Sequence, residues 1–280
     1  MPGFAVSYFV RTLTEFYFFL VMTSCFNILG GRTGYLNLGQ GVFIGIGAYG
    51  TGVCLKAGTP CWAAIFIATS IGIFWGALIS PLLFRLKGST FALVNLALLF
   101  IFMAASTRFR LLTGGTDGLF LDSATSLFLA FYGQSSLVFI VILVTILIPR
   151  SRIGYQTSVM GQDLFLAESV GIPTLWVKVK LYIFCAAMLT ASGCFLMIGE
   201  GYIIPSTVLG LQISLLPVAM AMVGGLGNTL GPLWGTLLVF GIREWLWVYV
   251  GSMEQTLLGL MLVLAGKRKA IFQRTMKLFQ

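Results

Sequence analysis

Nine apolar runs divide this chain, at 12–30, 36–55, 61–84, 89–107, 127–149, 179–199, 208–226, 232–250 and 254–266. Most approach the roughly 20 residues that an α-helix needs to cross the hydrocarbon core of a bilayer. The last is short. It can borrow from its flanks, sit in thinned lipid or lie at the interface. Only 9% of the residues are charged and 58% are hydrophobic, against about 25% charged in an ordinary soluble domain. Such a chain would be insoluble as a globule. The expected fold is all-α: a polytopic transmembrane bundle of eight to nine spans, with residues 1–280 as one transmembrane domain and a helix on its cytoplasmic side.

The net charge of +9 would suggest nucleic acid in a soluble protein. Here the cationic residues lie mostly between apolar runs, so topology explains them and no nucleic acid is expected. With the 150–180 loop inside, Arg32, Arg85, Lys87, Arg150, Arg152, Lys178, Lys180 and the five basic residues after 266 all fall inside. Arg11, Lys56, Arg108 and Arg110 fall outside, and Arg243 lies within a span. This bias places the N-terminus outside and the C-terminus inside for nine spans; eight spans would flip one terminus. The first residues, MPGFAVSYFV, lack the basic region of a secretory signal.

Residues 30–50, GGRTGYLNLGQGVFIGIGAYG, are apolar enough for lipid yet rich in glycine, with Asn37, Gln40 and Arg32 among them. Membrane helices avoid that mixture unless the backbone bends or approaches something closely, away from lipid. The stretch is expected to be a broken or tightly packed helix beside a solute pathway. A second glycine-rich patch, GGLGNTLGPLWG at 224–235, joins two spans on the inside face. Paired glycine-interrupted segments are a habit of transporters, though no residue-level repeat is visible.

Two connections are longer than turns. Residues 108–126 fall outside and contain GGTDG, a hairpin-like turn whose Asp117 is placed to cap the next segment. Residues 150–178 fall inside. Within them 156–170 is mildly amphipathic, with Val159, Leu164, Phe165, Leu166 and Val170 against Gln162, Asp163 and Glu168. Gly171 and Pro173 stop that helix. Exposing Phe165 and Leu166, it would serve as a docking surface or rest on membrane lipid as an interfacial helix.

Ionisable residues at depth are functional suspects. Arg243 with a nearby glutamate reads as a structural pair inside the bundle. With one acid well inside a span, Glu244, and no histidine, a proton relay has too few carriers. The uncharged polar residues are therefore the pathway candidates: Asn37, Gln40, Asn95, Gln212 and Ser214, with Gly39 exposing backbone beside them. Amides and hydroxyls can bind a polar solute without burying charge, and each also serves as interhelical glue.

The chain has no GxxxxGK[ST] motif; KGST (87–90) and GKRK (266–269) have the wrong order or residues. It shows no nucleophile–base pair or di-acid motif, so no catalytic residue is assigned. The five cysteines have no metal spacing and read as small packing residues. Cys54 and Cys61 flank one short loop and could pair if it faced an oxidising compartment. No metal or cofactor is expected on this chain, and ATP, if it drives the protein, binds a separate subunit.

GYLNLGQGVFIGIGAY (34–49) resembles the signature of permease subunits of branched-chain amino acid ABC importers, a family shared with urea and simple-sugar permeases. TGGTDGL (113–119) resembles the GGxDG-type turn of the LivM-type member. RSRIGYQTSVMGQDLFLAESVGIP (150–173) is similar to the cytoplasmic loop carrying the coupling helix, and VGGLGNTLGPLWG (223–235) to the GGxGxxxGPxxG turn. The four occur in the family's order.

The resemblance implies a bacterial inner-membrane permease that pairs with a second permease subunit. Two cytoplasmic ATPase subunits would dock on the coupling helices, and a periplasmic solute-binding protein would deliver substrate. The coupling residues it implies are Gln162, Asp163, Phe165, Leu166, Ala167, Glu168 and Gly171. The family's helix opens on an Arg-Glu-x-Glu-like run; here Met160–Gly161–Gln162–Asp163–Leu164 carries only Asp163 as a charge. That departure shifts docking towards Phe165 and Leu166, and leaves the solute open among amino acids, urea and sugars. A self-contained channel or secondary transporter remains the reading from another class.

Overall fold

The computed structural model describes residues 2–86, 88–121, 126–162 and 164–250. Their helices are α1 (Pro2–Thr33), α2 (Gln40–Lys56), α3 (Cys61–Leu83), α4 (Gly88–Arg108), the short α5 (Arg110–Thr113), α6 (Leu127–Leu147), α7 (Arg152–Gln162), α8 (Leu164–Ser169), α9 (Thr174–Glu200), the short α10 (Pro205–Val208), α11 (Leu211–Gly224) and α12 (Gly231–Val250). Two short strands, β1 (Leu119–Phe120) and β2 (Tyr202–Ile203), pair antiparallel. Among the described residues six helical segments are long and apolar enough to cross a membrane. At 17 residues α2 is shorter than these. The apolar run at 254–266 and Glu254 lie outside the described residues.

The helices follow the apolar runs with two informative differences. The first begins at Pro2 rather than residue 12, because nothing before the apolar run breaks a helix beyond Pro2 itself, which suits a first turn. The second begins at Gln40 rather than 36, because the chain leaves α1 through Gly34 at φ +74° and stays non-helical to Gly39. The glycine-rich stretch is therefore both broken and crowded: an irregular run at 34–39 leading into α2.

Burial divides the bundle into a centre and a rim. In α1 and α9, 72% and 67% of the most apolar window is buried, against 28%, 22% and 33% in α3, α4 and α6. The rim helices expose Phe66, Phe74, Phe100, Ile101 and Phe139, as a face meeting lipid tails would. At the centre α2 packs on α9, α3, α4 and α11, while α1 packs on α6, α9, α11 and α12. Close approach explains the glycines: a Cβ on Gly47 would overlap the Thr190 carbonyl, and one on Gly193 the Ile44 carbonyl. Small residues let backbones meet where lipid supplies no hydrophobic drive. Buried polar side chains then cross-link the helices. Gln134 Nε2 donates to the Ser192 carbonyl at 3.0 Å and its Oε1 accepts from Ser192 Oγ at 3.0 Å.

The connections segregate to the two ends. At one end Arg32 Nη2 donates to the Thr145 carbonyl at 3.4 Å. Arg32 also shares a cavity with Pro149, Tyr155, Ser158 and Thr229, so the 150–178 connection and the 225–230 turn lie there together. At the other end the GGTDG turn runs through Gly114 (φ +74°) and Gly118 (φ +84°) into β1. Asp117 thus leads into a strand, and α6 is capped instead by Ser126, whose side chain accepts from the Leu129 N–H at 3.2 Å. Cys54 and Cys61 are both free thiols.

Candidate functional site

Five of the six pathway candidates converge where α2 begins. Asn37 Oδ1 accepts from the Gly39 N–H at 3.1 Å, forming a local turn that sets the entry into the helix. The next free N–H, on Gly41, donates to Ser214 Oγ on α11 at 3.2 Å. Gly39 lies against Asn95 of α4: an added Cβ would sit 2.8 Å from the Asn95 carbonyl oxygen. Asn95 is held in turn, its Nδ2 donating to the Phe91 carbonyl at 2.9 Å and its Oδ1 accepting from Tyr182 Oη at 3.2 Å. Asn37, Gln40, Asn95 and Ser214 are all at most 3% exposed.

Gln40 differs from its neighbours. Neither Oε1 nor Nε2 has a hydrogen-bond partner among the described residues, although the residue is 1% exposed. An unpartnered buried amide costs about 1–3 kcal/mol. Asn95 and Ser214, by contrast, spend their polar atoms on the helices around them. The amide that sequence grouped with Asn37 is therefore the one group here whose chemistry the fold leaves unused. Gln212, the sixth candidate, is exposed and lies apart, two residues before Ser214, on the wall of a cavity at the Glu15 end.

Beneath this cluster lies a residue that sequence reading placed in a loop. Lys178 is 3% exposed on α9. Its Nζ sits 4.5 Å from the centroid of the Tyr35 ring and 3.3 Å from Tyr35 Oη. Tyr35 packs edge-on against Phe84 and Phe91. A lysine survives such burial by resting its charge on an aromatic face, and it pins the irregular 34–39 run to α9. Asn27 was also missed. Its Nδ2 donates to the Asn228 carbonyl at 2.9 Å and its Oδ1 accepts from the Gly227 N–H at 2.7 Å. One amide thus holds the 225–230 turn as a strand neighbour would, with Gly227 at φ +82° against Gly31. An asparagine on an apolar helix was the available signal.

At the Arg32 end the 150–178 connection is helical over α7 and again over α8, on either side of residue 163. Asp163 lies outside the described residues, and Gln162 and Leu166 are described by backbone alone. Ala167 is fully buried with Met160 and Val177. Phe165 is 79% exposed. The helix stops as the glycine predicts: Gly171 has φ +82°, its N–H donates to the Glu168 carbonyl, and that of Ile172 to the Ala167 carbonyl. Glu168 Oε1 accepts from Thr174 Oγ1 at 2.8 Å, tying α8 to the start of α9.

The membrane charges pair across long sequence separations. Arg243 Nη1 donates to Glu15 Oε1 at 2.7 Å, joining α12 to α1. This matches the structural pair expected of Arg243, with Glu15 as one partner. A second pair, Arg11 with Glu200, joins α1 to α9.

Comparison with curated proteins and comparison with solved structures each give no match. The model of one family does match, over nearly the whole chain. The chain belongs to the family of branched-chain amino acid transport system permease components, matched over residues 8–266.

Proposed function

We propose that this chain is one membrane-spanning subunit of an ATP-driven importer in a bacterial inner membrane, crossing it eight or nine times. It carries a small polar solute, with branched-chain or other amino acids as the leading class and urea or a simple sugar as the alternative. It works with a second permease subunit, two cytoplasmic ATPase subunits that bind the ATP, and a periplasmic solute-binding protein. The Arg32 end, richest in basic residues, is the cytoplasmic end.

The observation that carries this reading is α8. It stands at the cytoplasmic end with Phe165 outward, Ala167 sunk into the bundle and Glu168 tied to α9. A helix so anchored can pass ATPase motion into α9, and through α9 to α2 and the Gln40 cluster. In this mechanism the ATPases drive the helix bundle between two packings, and the Asn37–Gln40 run lines the route.

The test is co-purification. Replacing Phe165 and Leu166 together by Asp should strip the ATPase subunits from the complex and abolish uptake while the permease still accumulates in the membrane. Retained ATPase with normal uptake would refute docking on α8. Solute uptake by the purified chain alone in liposomes, without ATP, would establish a self-contained channel or secondary transporter instead.

A further inference from the structure

The cavity at the Arg32 end is bounded by three parts of the chain that meet over the last turn of α1. Arg32 lines it from α1, Tyr155 and Ser158 from α7, and Gly227 and Thr229 from the turn between α11 and α12. Its volume is about 470 Å³, within the roughly 300–1,000 Å³ of small-molecule sites. Packing fixes its walls. A Cβ on Gly31 would lie 2.5 Å from the Gly227 nitrogen, and Asn27 holds the same turn from one turn earlier on α1. A Cβ on Gly154 would overlap the Ile148 carbonyl, so the start of α7 is pressed against the exit of α6.

The wall carries positive charge and hydroxyls and, among the described residues, no acid. Arg32 is half-buried. It donates to the Thr145 carbonyl, and no carboxylate among the described residues pairs with it. A guanidinium has five N–H donors, so most of its capacity is left over. The hydroxyls of Tyr155, Ser158 and Thr229 make no hydrogen bond among the described residues. Arg150 and Arg152, both exposed, flank the start of α7. Such a wall is suited to an anion with several acceptor oxygens.

The level of the cavity in the fold selects the anion. The spans containing α1 and α6 end at Thr33 and Arg150, so the cavity lies where hydrocarbon gives way to headgroups. Tyr155 and Trp234 at this end are 68% and 57% exposed, as amphipathic rings at a membrane interface are. We propose that this cavity binds the headgroup of an anionic phospholipid of the phosphatidylglycerol type. Its phosphate rests on Arg32, and its glycerol hydroxyls lie among Tyr155, Ser158 and Thr229. Basic recesses between span ends take such heads. An ethanolamine or choline head fits less well, because its cation would meet Arg32 and find no carboxylate on the described wall. The bound head bridges α1, α7 and the 225–230 turn, and so braces the start of the α7–α8 connection against the bundle.

The site needs only that this end lie at headgroup level; the leaflet is the cytoplasmic one on the importer reading. The full chain is purified in a non-ionic detergent and titrated with phosphatidylglycerol, phosphatidylethanolamine and phosphatidylcholine of equal chain length. Bound lipid is counted by native mass spectrometry, with inorganic phosphate as a competitor. One phosphatidylglycerol should bind at least tenfold more tightly than either zwitterionic lipid, and an equal concentration of phosphate should not displace it.

Arg32→Gln should abolish that preference. Because Arg32 also holds the Thr145 carbonyl, a second variant leaves it in place. Ser158→Glu, on the exposed side of α7, sets a carboxylate in the same cavity and should weaken phosphatidylglycerol binding at least tenfold. Arg108→Gln removes an exposed charge near the GGTDG turn and should change binding less than twofold. Equal binding of the three lipids overturns the site. So does a preference unchanged by Ser158→Glu, and so does one weakened as much by Arg108→Gln, which would make it a property of the whole lipid annulus. Displacement by inorganic phosphate overturns the lipid and makes this a site for free phosphate. ATP-driven uptake by the assembled transporter, with no lipid preference, overturns the lipid site and leaves the importer standing. Tight phosphatidylglycerol binding without ATP-driven uptake upholds the site and overturns the importer.

Discussion

Gln40 is the residue at which packing and transport make opposite predictions. Its amide is buried with no partner among the described residues. If it only filled space, Gln40→Leu would remove an unsatisfied group and stabilise the fold by about 1–3 kcal/mol. If it serves the solute, the same change removes a ligand group. We expect both at once: a higher unfolding temperature in detergent and solute uptake reduced at least severalfold. Uptake at the wild-type level would make Gln40 a packing residue. Asn37→Ala should behave differently. It removes the acceptor of the Gly39 N–H and so loosens the entry into α2, lowering both uptake and thermal stability. Sequence could point to these two amides because an amide among glycines in an apolar run is a local anomaly. It could not distinguish them, since whether Gln40 finds a partner depends on what α4 and α11 place around it.

The element that decides the bundle is α2, and what decides α2 is its crossing with α9. Gly47 lies where the Thr190 carbonyl occupies the space of a side chain, and Gly193 answers it against Ile44. Two backbones in contact cannot yield as a flexible side chain can. Gly47→Ala should therefore push the helices apart and lower the unfolding temperature of the purified protein by well over what helix propensity returns, about 1 kcal/mol. Gly241→Ala in α12 meets nothing within 4 Å among the described residues and should be neutral or slightly stabilising. Equal effects at the two positions would show that the crossing is not the constraint. At this scale most of the fold was legible. Apolar length located the helices, and the glycines at 34, 118 and 171 marked breaks that the structure realises with positive φ. The pairing of β1 with β2 was not legible: two-residue strands carry no periodicity, and their partners are more than 80 residues apart.

At the scale of the whole molecule, the two ends bear different chemistry. One carries Arg32, α8 and the turn that Asn27 holds; the other carries two interhelical ion pairs, a cavity and the GGTDG turn. Sequence predicted which connections share an end, because alternation along apolar runs and the bias of basic residues are both one-dimensional. It could not predict that Glu15 meets Arg243, since 228 residues separate them and nothing local to either names the other. The assignment of ends to compartments still rests on that bias alone, and it can be tested directly. In a chain with its five cysteines replaced by alanine, a single cysteine at Thr116 stands in the exposed GGTDG turn, and one at Ser169 on the exposed side of α8. A membrane-impermeant maleimide should label the Thr116→Cys chain in spheroplasts with the membrane intact. The Ser169→Cys chain should react only after the membrane is permeabilised. The opposite pattern would turn the protein over. With α8 facing the medium and the cavity lined by Glu15 and Arg243 facing the cytoplasm, no cytoplasmic ATPase could drive import through α8.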